Sequence, residues 1–128
     1  MKKIISSLLN KQWELAYVGY VKKGEIAILD GPFTSWNNNY VIIPPEILMK
    51  LIIFCIENKV SPFIIHNHVN NCYFSIPDMN FLYAFKKMYI KKGGANSIVI
   101  GLVNSTTGQC KINWQKVRKW NEEVLFEK

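Results

Sequence analysis

Residues 61–78 read SPFIIHNHVNNCYFSIPD and are the part of the sequence most informative about the fold. Residues 63–65 are apolar and predict a buried β-strand that continues through His68. A loop of about six residues follows, and apolar residues then recur at helical spacing over residues 76–92. The chain therefore passes from a buried strand into a long helix, and its two histidines, His66 and His68, stand at the end of that strand.

The sequence on either side of this stretch predicts further helices and strands. Helices are expected over residues 1–11, 45–59 and 76–92 and from residue 115 onward. Strands are expected over residues 13–21, 25–29, 40–43, 97–104 and 109–114. We expect Asp30-Gly31-Pro32 to end the second of these strands. Helices that flank a mixed sheet define an α/β or α+β fold, here a single domain of residues 1–128 with a tendency toward three layers.

The composition is that of a globular protein with a basic surface. Of the 128 residues, 49% are hydrophobic and 20% are charged, which supports a real core. The net charge of +7 comes from scattered lysines, fifteen of them against one arginine. Such a surface favours acidic partners. The near absence of arginine argues against a protein that reads bases through guanidinium contacts, so nucleic acid is not an expected partner.

Neither a membrane partner nor a disulfide framework is expected. No stretch reaches the roughly 18 consecutive apolar residues of a membrane helix. Residues 1–10 open like a signal peptide but lack a small-residue cleavage site. The cysteines Cys55, Cys72 and Cys110 are odd in number and form no CxxC pair. These features predict a cytoplasmic protein with reduced thiols.

The two histidines indicate a metal site. They are separated by one residue on a strand, so their side chains point to the same side. Two convergent imidazoles make half of a zinc site, although histidines at a strand end are also common as plain polar residues. Asp78 opens the next helix and can complete three ligands with an open water position, the arrangement of catalytic zinc. The alternative is that Ser75-Ile76-Pro77-Asp78 is only a capping box.

Glu14 is the remaining candidate for a functional carboxylate. It stands near the start of an otherwise apolar strand, on the face that includes Ala16 and Val18. An ionised carboxylate there needs a reason, because burying an unpaired charge is costly. It can act as a general base beside a metal-bound water, or it can simply reach solvent from the strand end. The spacing leaves both interpretations open.

Together these residues resemble the JAMM metallopeptidases, also called JAB or MPN domains. The resemblance is carried by Glu14 on an early strand, His66-Asn67-His68 at a strand end, and Ser75-Ile76-Pro77-Asp78 at the opening of a helix. It covers nearly the whole chain, because the order of the predicted elements also fits. The sequence is similar to the compact prokaryotic JAB peptidases and to the bacterial RadC branch. The resemblance implies a JAB/MPN-like fold with a cytidine-deaminase-like three-layer architecture.

The same resemblance implies an activity and assigns roles. His66, His68 and Asp78 would bind zinc, Glu14 would be the general base, and Ser75 would hydrogen-bond the oxyanion. The implied reaction is deubiquitinase-like: hydrolysis of a peptide or isopeptide bond after the C-terminal tail of a ubiquitin-like or sulfur-carrier protein. The expected partner is that protein or its peptide tail. The many isoleucines, lysines and asparagines suggest a bacterial or phage origin.

Three features depart from the family's pattern. The loop between His68 and Asp78 is one residue shorter, Val69 replaces the proline after the second histidine, and Cys72 lies within the loop. The short loop raises the question of whether the metal site still closes. Cys72 can either enter the zinc coordination sphere or pack as a small apolar side chain.

Two other functions remain open on sequence grounds. The short loop and Val69 favour a catalytically inactive MPN-type binding or scaffold module, whereas the retention of all five site residues argues against it. The net charge allows a RadC-like protein that acts near DNA, but the chain has no recognisable DNA-reading module. Trp36, in a polar loop, is a candidate to hold an extended substrate tail. The strand expected over residues 40–43 could pair with such a tail.

Overall fold

Three helices and six strands occur in the part of the chain that the structure, a computed structural model, describes: residues 2–35, 41–120 and 123–127. The helices are α1 (Lys2–Ser7), α2 (Pro45–Asn58) and α3 (Ile76–Lys91). The strands are β1 (Leu15–Lys22), β2 (Glu25–Thr34), β3 (Ser61–His68), β4 (Ile98–Asn104), β5 (Cys110–Trp120) and β6 (Glu123–Glu127). Within these described ranges, none of the helices has both the length and the apolar character needed to cross a membrane.

β3 lies in the middle of a mixed sheet. The strand order is β2-β1-β3-β4-β5, and β6 pairs with the far end of β5. β3 is antiparallel to β1 and parallel to β4, and α3 provides the crossover that a parallel pair requires. Every residue of β3 after Ser61 is buried. The carboxyl end of this strand therefore meets the start of α3 at one edge of the sheet, where sites commonly form in such folds.

The sheet separates two apolar clusters and so forms the middle of three layers. One cluster joins the sheet to α2 and α3 and includes Ile64 and Phe85. The other joins the opposite face to α1 and includes Phe63 and Leu8. Consecutive residues of β3 alternate between the clusters because successive side chains on a strand point to opposite faces. The expected mixed α+β fold, with helices flanking a mixed sheet, is confirmed.

The expected end of the second strand is wrong, because β2 runs through Asp30-Gly31-Pro32 to Thr34. Its pairing with β1 is irregular opposite Val18, where the register shifts on both sides, and such irregularities let a strand continue past residues that do not fit a regular ladder. Gly31 adopts φ +127°, and a side chain there would begin 2.7 Å from the Tyr17 ring. The glycine therefore permits the strand to bend against β1 instead of ending it.

The prediction of a strand over residues 40–43 is also wrong for those of its residues that the structure describes. Residues 41–44 form no strand, and Tyr40 lies outside the described residues. Pro44 and Pro45 have no N–H to donate to a sheet, and Pro45 begins α2. Val41 and Ile43 pack against the cluster beneath α2 and α3. Their apolar character therefore reflects contact with the core.

The helix expected from residue 115 is replaced by strand structure. β5 extends to Trp120 and pairs with β6 from Lys116 onward. The exposure of the side chains alternates in this stretch, since Gln115 is buried, Lys116 is exposed and Val117 is half-buried against the core. That period of two is the period of a strand. Pairing with β6 satisfies the backbone hydrogen-bonding groups along this edge. This pairing is a tertiary contact, which a local helical pattern in the sequence does not report.

Candidate metal centre

The carboxyl end of β3 places His66 and His68 side by side. Both side chains are buried, and their Nε2 atoms lie 3.3 Å apart. β3 is held on both sides at this point, because His66 pairs with Ala16 of β1 and His68 with Asn104 of β4. Pairing with β4 therefore fixes the backbone of both residues, β1 also pairs with His66, and the expected convergence of the two imidazoles is present.

Asp78 reaches this pair from the first turn of α3. Its Oδ1 lies 3.2 Å from Nε2 of His66, and its Oδ2 lies 2.9 Å from Nε2 of His68. The capping box is present as well: the Asp78 N–H donates to Ser75 Oγ at 3.2 Å, and the Ser75 N–H donates to Asp78 Oδ2 at 2.8 Å. The Ser75–Asp78 motif is therefore a capping box and also part of the candidate metal cluster, since the cap orients the carboxylate toward the histidines. The loop between His68 and Asp78 therefore brings this carboxylate to both histidines.

Glu14 lies immediately before β1 and completes the group from the other side. Its side chain is only 3% exposed, and its Oε2 lies 3.9 Å from Nε2 of His68. Its other oxygen, Oε1, is buried without a hydrogen-bond partner among the described residues. The solvent-reaching alternative is therefore wrong. A buried carboxylate oxygen without a partner is costly, and its cost is relieved when a cation or a water occupies the space beside it.

These four side chains have the chemistry and the spacing of a metal site. Glu14, His66, His68 and Asp78 each offer a ligand atom, and those atoms all lie within 4.8 Å of one another. Tetrahedral zinc with nitrogen ligands at about 2.0–2.1 Å places neighbouring ligand atoms about 3.3 Å apart. The Nε2 atoms of the histidines and the Asp78 oxygens have separations of this size. The cluster can hold a metal ion, and its donor set suits zinc.

The tautomer of His68 is set by a residue in the following loop. Its Nδ1 lies 2.7 Å from Oδ1 of Asn71, and the same oxygen accepts the N–H of Tyr73 at 3.1 Å. Because that atom acts only as an acceptor, Nδ1 of His68 carries the proton and donates it. Nε2 then directs its lone pair at the cluster. Hydrogen bonds of this kind commonly orient metal-binding histidines.

The charges in the cluster favour a cation at its centre. Burial raises the pKa of Asp78, but hydrogen bonds with His66 and His68 and from the Ser75 backbone outweigh it, so this pKa lies far below its usual range. Burial lowers the pKa of His68, but hydrogen bonds to Asp78 and Asn71 and the nearby carboxylates raise it on balance. Asp78 is therefore anionic at neutral pH. The raised pKa of His68 shows that its surroundings favour positive charge, the sign of charge that a bound metal would supply.

The pKa of Glu14 shifts in the opposite direction to that of Asp78. Burial raises its pKa to about 7, against the lowering effect of His68 and with a further increase from the negative charge of Asp78. Two carboxylates in one cluster thus have their pKa values pushed apart, a pattern that separates a metal ligand from a proton acceptor. A group that titrates near neutral pH is suited to general-base chemistry.

Asn67, between the two histidines, is a site residue that the sequence reasoning missed. Its side chain is fully buried. Its Oδ1 accepts the N–H of Leu15 at 2.6 Å, and its Nδ2 donates to the carbonyl of Trp13 at 3.1 Å and to Ser105 Oγ at 2.7 Å. Ser105 Oγ in turn donates to the carbonyl of Leu8. A polar residue between the two histidines of a buried strand was the available signal for this role.

Two further candidates from the sequence, Cys72 and Trp36, do not contribute to the described cluster. Cys72 is buried, and its Sγ lies 3.8 Å from the carbonyl of Leu102 and 3.9 Å from that of Gln109. It does not belong to the group of possible ligands and instead packs against β4 and the residue before β5. Trp36 lies outside the described residues.

No protein-family model matches the chain, and no curated protein matches its sequence.

Proposed function

We propose that this protein is a zinc-dependent peptidase or isopeptidase of the JAMM type. It would cleave after the C-terminal tail of a ubiquitin-like or sulfur-carrier protein. The observation that carries the proposal is the buried Glu14 carboxylate beside two histidines and Asp78, with one oxygen that lacks a hydrogen-bond partner among the described residues. Three ligands and one adjacent carboxylate are the parts that metal-assisted hydrolysis requires.

In this proposal His66, His68 and Asp78 hold the metal. Zinc, when bound, acidifies a water molecule and polarises the carbonyl of the bond to be cleaved. Glu14 accepts a proton from the attacking water and passes it to the leaving amine, a transfer that its raised pKa of about 7 supports near neutral pH. The Ser75 hydroxyl, which already accepts a hydrogen bond from the Asp78 N–H, keeps its own proton to donate to the developing oxyanion.

The arrangement of the elements also supports a JAB/MPN-like architecture. The general base comes from the entry to β1, the histidines from the end of β3, and the serine and aspartate from the start of α3. This is the order in which the sequence resemblance places them. The protein is basic overall, at +7, which favours encounter with an acidic protein substrate.

Metal content and cleavage test the proposal together. We expect about one zinc per chain by elemental analysis in the wild type and in Cys72→Ser, and loss of zinc in His68→Ala. Glu14→Gln is expected to retain zinc but to lose cleavage of a ubiquitin-like fusion. Circular dichroism of each variant separates loss of metal from loss of fold.

Two results would contradict the proposal. Failure of the wild type to retain zinc, even when zinc is supplied, would make the protein a binding module rather than an enzyme. Undiminished cleavage by Glu14→Gln would remove Glu14 from the role of base.

A further inference from the structure

An apolar cavity begins at the metal cluster and continues between the sheet and α3. Its volume is about 110 Å³. His66 and Asp78 contribute to its wall at one end, so anything that fills it lies directly beside the metal. Met79 and Pro77, both exposed on the first turn of α3, line it as well. The cavity is therefore reached from the same surface as the candidate site.

The walls of this cavity are aliphatic and aromatic. The sheet contributes Ala16, Ile64 and Ile100, α3 contributes Phe81 and Leu82, and the segments that precede α2 and α3 contribute Val41, Ile43 and Phe74. Among the described residues that line it, His66 and Asp78 are the ionisable ones, and both belong to the metal cluster. A charged group inside the cavity would therefore contact no lining side chain of opposite charge away from the metal cluster, and burying it would be costly.

The end of the cavity near β5 carries two carboxamides that already bind each other. Gln115 Nε2 donates to Asn113 Oδ1 at 2.6 Å, and Gln115 Oε1 accepts from the buried Lys86 ammonium at 3.5 Å. Both ends of the Gln115 side chain are thus engaged within the protein. A ligand that reaches this end needs no polar group of its own, because it leaves no Gln115 atom without a partner.

We propose that this cavity binds the side chain of the substrate residue next to the cleaved bond and selects a medium-sized aliphatic side chain, such as leucine, isoleucine or methionine. This inference rests on the proposed function and adds the substrate's identity at one position. An apolar cavity of about 150 Å³ binds benzene, so the present cavity suits a branched aliphatic group and is too small for an indole. The substrate then carries an aliphatic residue beside the cleaved bond.

Zinc-chelating probes test the cavity without relying on catalysis. N-acetyl-leucine hydroxamate places an isobutyl group on the acyl side of the chelating group, and 2-isobutylsuccinyl hydroxamate places it on the amine side. Each is compared with its analogue that lacks the isobutyl group, by calorimetry on the zinc-loaded protein. We expect one of the two pairs to favour the isobutyl compound about 10- to 100-fold, the effect of burying one leucine-sized side chain.

Two neighbouring positions on β4 provide a matched pair of variants. Ile100→Ala enlarges the cavity, whereas Val99→Ala makes a similar truncation in the cluster on the opposite face of the sheet. Both variants lose stability through a buried void. Ile100→Ala is expected to shift the preference from the isobutyl to the corresponding benzyl compound. Val99→Ala is expected to keep the wild-type ratio of affinities, which is independent of the folded fraction.

The outcomes separate this inference from the proposed function. Equal affinity for the isobutyl compounds and their truncated analogues overturns the cavity proposal and leaves the metal centre intact. An identical shift in both alanine variants also overturns it, because the preference would then follow general loosening. If none of the hydroxamates binds the zinc-supplied protein, the proposed metal centre fails and the cavity proposal fails with it.

Discussion

Asn67 holds the backbone on both sides of Glu14. Its carboxamide accepts the N–H of Leu15 at 2.6 Å and donates to the carbonyl of Trp13 at 3.1 Å. Glu14 is the residue between these two contacts and precedes the first residue of β1. The same strand thus projects its histidines to one face and an asparagine to the other. In this way β3 carries candidate metal ligands and also positions the candidate base immediately before the neighbouring strand β1.

Replacing Asn67 is expected to impair the base more than the metal ligands. Asn67→Ala leaves the buried Leu15 N–H and the Trp13 carbonyl without this partner, which costs about 2–4 kcal/mol of unfolding free energy. Zinc content should stay near one per chain, while kcat falls about 100-fold because a small displacement of a catalytic group has an effect of that size. Urea unfolding, elemental analysis and a cleavage assay measure the three quantities.

Ser105→Ala is the control for this prediction. It removes one hydrogen bond of the Asn67 side chain but leaves both contacts around Glu14. Its kcat is expected to stay within a few-fold of the wild-type value. An Asn67→Ala protein that loses zinc in proportion to its activity would show that Asn67 supports the histidines instead.

Asn71 is expected to tune the affinity for zinc. Its Oδ1 accepts the Nδ1–H of His68 at 2.7 Å and so presents Nε2 to the metal. Asn71→Ala should weaken zinc binding about 10- to 100-fold, the usual effect of losing such a partner. Competition against a chromophoric chelator measures this, with Asn70→Ala, a substitution at the adjacent exposed position, as the control. Equal zinc affinity in the two variants would contradict the prediction.

The metal-free protein is expected to lose stability as pH rises through the range in which Glu14 titrates. Burial raises the Glu14 pKa to about 7, so the folded state keeps a proton that the unfolded chain releases above its ordinary value of about 4.3. Folded stability from this group therefore falls between about pH 4 and pH 7. The raised pKa of His68 acts in the same direction at higher pH, whereas the lowered pKa of Asp78 adds stability above its ordinary range.

Glu14→Gln should remove the contribution of Glu14 to this pH dependence. In the presence of a chelator, the drop in unfolding free energy from pH 5 to pH 8 is expected to shrink by an amount on the order of 2 kcal/mol. Urea unfolding at the two pH values measures it. Glu57→Gln, at an exposed position of α2, serves as the control and should behave like the wild type. A drop of the same size in Glu14→Gln would show that Glu14 does not titrate in this range.

Two substitutions of Ser75 can separate its structural role from its proposed chemical one. Ser75→Ala removes the N-cap of α3 and should cost about 1 kcal/mol of stability. Ser75→Asn retains a good capping group but lacks the hydroxyl. We expect Ser75→Asn to recover the stability and to remain as slow in cleavage as Ser75→Ala. Thermal unfolding and kcat report the two effects, and full activity of Ser75→Asn would exclude the hydroxyl from the reaction.

The structure agrees with the sequence for two long helices, one buried strand and one helix cap. The long α2 and α3 helices and the buried β3 strand follow from apolar periodicity, and the capping box of Ser75 and Asp78 follows from residue spacing. The failures fall where contacts distant in sequence decide. The tail after residue 115 becomes a strand because β6 is available to pair with it. The segment 41–44 stays irregular because two prolines adjoin residues that the core requires.

The convergence of the two imidazoles and the serine–aspartate cap of the following helix were predictable from the sequence, because each depends on a spacing of three residues or fewer. The tertiary fold buries Glu14 and places it 3.9 Å from His68, a contact that local patterns do not predict, since 54 positions separate the two residues along the chain. It also decided that Asn67 holds the backbone around Glu14. The physical reason is the register between β1 and β3, which the packing of side chains on both faces of the sheet sets.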